Sequence, residues 1–175
     1  MRRHIEELQA ELQATRTTGP AGTSDLAQGE DPFEVHFSFI ASPDKYSHNG
    51  SGYSSTTTLN WEDIFSTLSP LMIHEATESD LVKALNSLVG DSSYENLKKS
   101  KGFRELNLLQ FKINSEDFQT IKIQLRALGL ITRSTKSRSV KDTATYWTLT
   151  PYGDNVMTKL RAIKKPQAIG AKKES

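Results

Sequence analysis

Cysteine is absent from the chain. That excludes disulfides and thiolate metal sites, and it favours a cytoplasmic setting. No apolar run approaches the roughly 18–20 residues that a membrane span needs. The N-terminus, Met-Arg-Arg-His-Ile-Glu-Glu, has cations but lacks the apolar stretch of a signal peptide. The histidines, at positions 4, 36, 48 and 74, show no metal-ligand spacing, and His74-Glu75 lacks the second histidine of an H-E-x-x-H site. No Walker loop, G-x-G-x-x-G or G-x-S-x-G motif occurs. The expectation is a soluble, cytoplasmic protein that is not an enzyme, with no cofactor, no metal and no membrane partner.

What is present is an uneven distribution of charge. The chain carries +1 overall, but residues 134–175 hold nine Lys/Arg against three Asp/Glu, while residues 1–133 hold thirteen against eighteen. A basic C-terminal quarter fits an electrostatic footprint on nucleic acid. It fits equally a solvated loop and tail.

Along the chain, Ile5, Leu8 and Leu12 take the a, d and a positions of two heptads, with Glu6, Glu7 and Glu11 around them. This predicts a short coiled-coil-like helix over 1–16, a candidate for self-association. Residues 17–31, rich in Thr, Gly, Ala and Ser, read as a flexible linker. The globular part is expected over 32–165, and residues 166–175 as a disordered basic tail. "FEVHFSFI" alternates Phe33, Val35, Phe37 and Phe39 with polar residues, which is a half-buried strand, and His36 falls on its solvent face. A long polar loop follows, with turn chemistry at Asn49-Gly50 and Ser51-Gly52. A returning strand is then expected at 56–59.

Asn60 is a helix cap, and Thr77-Glu78-Ser79-Asp80 opens a second helix that Gly90 is expected to stop. Ser92-Ser93-Tyr94-Glu95 has the capping-box pattern of a short third helix. "NLLQFKI" alternates like a strand, with Leu108-Leu109 blurring its face. A helix is predicted over 115–128, its buried stripe formed by Phe118, Ile121, Leu125 and Leu128. Gly129 and Leu130 suit a Schellman ending. Two strands, 130–133 and 145–149, flank a basic loop, and Thr150-Pro151 caps a last helix.

This order of elements resembles a winged helix-turn-helix domain. The resemblance rests on "FQTIKIQLRALGLITRS" followed by "YWTLTPYGDNVMTKL", where Leu125, Leu128, Gly129, Leu130, Ile131, Trp147, Leu149, Thr150 and Gly153 fall as in many winged-helix regulators. It covers roughly residues 60–163 and implies an α+β winged helix with an added N-terminal strand pair. The part around "LNWEDIFSTLSPLM" is similar to the C-terminal modules of some large bacterial proteins in which a TIR-like domain comes first. That likeness implies a module of a longer protein.

A winged helix implies double-stranded DNA as partner, met by the helix 115–128 and the wing 133–141. On the helix, Gln119, Thr120, Lys122 and Arg126 are candidates for base edges or phosphates. In the wing, Arg133, Lys136, Arg138 and Lys141 each suit a phosphate or the minor groove. Ile123 sits at the centre of the helix face. There it fits packing against the N-terminal strands, a protein-contact patch, or the groove. The alternative function is therefore a non-catalytic protein-interaction or oligomerisation module.

Overall fold

A computed structural model describes residues 2–45 and 50–166, and the fold is mixed α+β. The elements in order are α1 (Arg2–Thr17), β1 (Pro32–Ser42), β2 (Ser51–Asn60), α2 (Trp61–Leu68), β3 (Ala76–Thr77) and α3 (Glu78–Lys99). There follow β4 (Asn107–Ile113), α4 (Ser115–Ala127), β5 (Ile131–Arg133), β6 (Tyr146–Leu149) and α5 (Pro151–Arg161). Among the described residues the strands form two antiparallel sheets, ordered β2-β1-β4 and β3-β6-β5. Strands of both sheets and the helices contribute to one core, in which Val35, Ile64, Met72, Leu85, Val89 and Ile121 are fully buried. No helix among the described residues is long and apolar enough to cross a membrane.

The alternation in β1 works as expected: Val35, Phe37, Phe39 and Ala41 point inward. Its partner β2 starts at Ser51 rather than 56, so Ser51-Gly52 lies in a strand and not in a turn. The Ser/Thr run has no apolar alternation to betray it. It is held by the ladder from Pro32↔Asn60 to Ala41↔Ser51, and as an edge strand it stays mostly exposed. The doublet Leu108-Leu109 also has a cause. Gln110 takes φ 53°, and the β1–β4 register slips between Ser38 and Ile40. One extra residue changes the phase, so Leu108 and Phe111 both turn inward.

Gly90 does not stop a helix, and Ser92-Ser93-Tyr94-Glu95 does not start one: α3 is continuous from Glu78 to Lys99. A Cβ at Gly90 would stand 3.2 Å from the Phe111 ring, so the glycine lets β4 lie close on the helix. That packing outweighs the roughly 1 kcal/mol that glycine costs in a helix. Ser92 donates its hydroxyl to the Leu88 carbonyl at 2.8 Å instead of capping, and Ser93 is buried.

Residues 17–31, expected to be a flexible linker, lie against the domain. The Thr23–Asp25 turn is 3₁₀-helical, Gln124 donates to the Ala27 carbonyl at 2.6 Å, and Glu62 N–H donates to the Gly29 carbonyl at 2.8 Å. Pro20 covers Gly129 and Gly19 meets the Tyr152 ring. The segment closes one side of an apolar cavity of about 210 Å³, whose other walls include Trp61, Phe65, Leu125 and Tyr152. Asn49 and His48 lie outside the described residues, as does the basic tail from residue 167.

Candidate nucleic-acid interface

Helix α4 is fixed at both ends. Asn114 caps it by accepting from Glu116 N–H at 2.7 Å, and Asp117 accepts from the His36 backbone N–H at 2.6 Å, which ties the first turn to β1. At its other end Gly129 takes φ +71°. Leu130 N–H donates to the Leu125 carbonyl at 3.0 Å and Gly129 N–H to Arg126 at 2.9 Å, the paired bonds of a Schellman motif. The next residues enter β5, so the end of the helix sets where the β5–β6 hairpin emerges.

The outward face of α4 and the base of that hairpin share one depression of about 310 Å³. It is lined by Glu78, Gln119, Lys122, Ile123, Arg126, Arg133, Thr145 and Trp147. Gln119, Arg126 and Arg133 are exposed, and neither arginine has an ion-pair partner among the described residues. Thr120 is exposed on the same helix. Ile123 is 67% exposed, which removes its packing against the N-terminal strands as an explanation.

Lys122 does not fit the role expected of it. It is 8% exposed, with its ammonium 2.6 Å from Glu78 and 4.8 Å from the centre of the Phe118 ring. Trp147 donates its indole N–H to the same Glu78 oxygen at 3.1 Å. This closed triad forms the floor of the depression and cancels its own charge. The partner that buries Lys122 is 44 residues away and has no local signature.

Arg138 is likewise engaged within the fold. Its guanidinium lies 3.3 Å from the centre of the Tyr146 ring and is ion-paired with Glu75. Ser134 also donates to Glu75 at 2.7 Å, and Asp142 accepts from the Tyr146 hydroxyl at 3.0 Å. These contacts staple the irregular loop 134–145 onto the sheet. Lys136 and Lys141 remain exposed, with the Lys136 ammonium 4.0 Å from Glu75 at the edge of pairing distance. The eight polar residues expected to bind nucleic acid therefore split. Gln119, Thr120, Arg126, Arg133, Lys136 and Lys141 face solvent, while Lys122 and Arg138 hold the fold.

The acids carry this arrangement. Hydrogen bonding from Ser134 draws the Glu75 carboxyl below its usual 4.5 against the opposing effect of burial, and Arg138 and Lys136 reinforce it. Burial alone would raise Glu78, but Lys122, Trp147 and the charge of Arg133 hold it below 4.5. Asp80 is lowered by its capping bonds to Thr77. Each carboxyl is more acidic folded than unfolded, so its contribution is complete above the unfolded value and lost as pH falls through the folded one. The thermal midpoint should be level above about pH 5 and drop progressively below 4.5. Glu78→Gln should flatten part of that drop, and an acid profile identical to wild type would remove Glu78 from the account.

Comparison of the chain with protein-family models, with curated proteins and with solved structures gives no match.

Proposed function

We propose that the chain is a winged helix-turn-helix module that binds double-stranded DNA. In this reading α2, α3 and α4 are the three helices, the sheet β3-β6-β5 braces them, and the loop 134–145 is the wing. The connection from α3 to α4 departs from the usual short turn. It contains β4, which joins the added strands and leads directly into α4. The observation that carries the proposal is that Arg126 from α4 and Arg133 from the hairpin line one depression, with Gln119 of α4 on the same wall. Cations from two elements on one surface suit a duplex backbone. Lys136 and Lys141 extend the contact along the wing.

The test is anisotropy of a labelled random duplex titrated with salt. Arg126, Arg133, Lys136 and Lys141 make about four phosphate contacts, for a log–log slope of roughly −3 to −4 and a loss of about 100-fold between 50 and 200 mM salt. Absence of binding at 50 mM would sink the proposal. One observation favours a second reading, a protein-contact module: Ile123 stands open at the centre of the same face. That reading expects no salt-dependent duplex binding at all.

A further inference from the structure

Helix α1 runs for 16 residues beside α5, yet no described side chain along it is buried. Its C-terminal end is held through Gly19 on Tyr152 and Pro20 on Gly129. Although α1 lies beside α5, Ile5, Leu8 and Leu12 keep about half of their surface open, at 51%, 52% and 56% exposed. A helix of this length is marginal in water without tertiary packing. An apolar stripe along it calls for a partner.

The flanking charges say which partner. With Ile5 at a and Leu8 at d, Glu11 falls at g and Arg16 at e of the following heptad. In a parallel, in-register pair of helices a g residue faces the e residue five positions on in the other strand. Glu11 of each copy then faces Arg16 of the other, and the two-fold axis makes the ion pair twice. Ile at a with Leu at d favours two strands over three or four. We infer that α1 is the contact through which two copies of this chain pair, parallel and in register. The seam is short: at the next d position Thr15 turns its hydroxyl back to the Glu11 carbonyl at 2.9 Å. Association is therefore weak and concentration-dependent.

Sedimentation equilibrium of the full chain over roughly 1–200 µM tests this, with a monomer–dimer constant expected in the micromolar range. Leu8→Glu and Leu12→Glu should each raise that constant at least about tenfold with the circular dichroism of the domain unchanged, since neither residue is buried. The absence of cysteine gives an orientation readout. Leu8→Cys, on the seam, should form a disulfide-linked dimer on mild oxidation, while Ala10→Cys, on the opposite face, should not. A chain that stays monomeric throughout overturns the inference, as does a dimer indifferent to both glutamates. Crosslinking at Ala10→Cys as readily as at Leu8→Cys overturns the parallel register. All of these read mass and not DNA, so their outcome stands apart from the proposed function.

Discussion

Reversing Arg133, Lys136 and Lys141 together to glutamate is expected to abolish duplex binding, with an affinity loss of at least about 100-fold near 100 mM salt. Three of the four open cations would be replaced by repelling charges, and the remaining Arg126 cannot hold a wing against the backbone. The three side chains are exposed, so the fold should survive, as circular dichroism would check. Arg138 supplies the internal contrast. It carries the same positive charge as its neighbours, but its guanidinium is engaged with Glu75 and the Tyr146 ring. Arg138→Ala should keep most of the affinity while loosening the loop, seen as amide exchange in 134–145 faster by about tenfold. If the triple variant binds like wild type, the wing is not a DNA element. If Arg138→Ala costs as much as the triple variant, loop order rather than charge governs binding.

That contrast marks the boundary of what could be read from the chain. Signals confined to one turn were legible. Asn60, Thr77 and Thr150 cap as their types dictate, with Thr77 and Asp80 forming a complete capping box. Gly129 makes its Schellman turn because only four or five neighbouring residues decide it. What failed depended on partners far along the chain. Gly90 looks like a stop until Phe111 is laid across it. Residues 51–55 look like loop until β1 pairs with them, and Ala76–Thr77 becomes a strand only because β6 lies beside it. Lys122 and Arg138 looked like ligand-binding cations because Glu78 and Glu75 are 44 and 63 residues away. A count of cations in a loop is legible in sequence; which of them are already paired is a tertiary fact. The candidate surface is accordingly smaller than the sequence implied, and it is organised around a neutral floor.

Gly153→Ala should be among the most destabilising single substitutions, because two backbones meet at that point. Gly153 lies in the first turn of α5, its N–H donating to the Thr150 hydroxyl at 2.9 Å. A methyl group there would overlap the Leu130 carbonyl, the same group that accepts Thr150 N–H at 3.1 Å. A side chain can rotate away from an intruding methyl. A carbonyl fixed by the Schellman turn on one side and β5 on the other cannot. Helix propensity alone would make alanine better by about 1 kcal/mol. The overlap acts in the opposite sense, and overpacking against rigid surroundings commonly costs 1–3 kcal/mol and more where nothing yields. The net expectation is a loss of about 3 kcal/mol, or roughly 6–12 °C in the thermal midpoint for a chain of this size. Gly52 in β2 is the control: a Cβ there meets nothing within 4 Å, so Gly52→Ala should be neutral or slightly stabilising. An alanine at 153 that left the midpoint unchanged would mean that α5 does not seat on the turn after α4. The positions of Arg126 and Arg133, set by that turn, would then lose their common support.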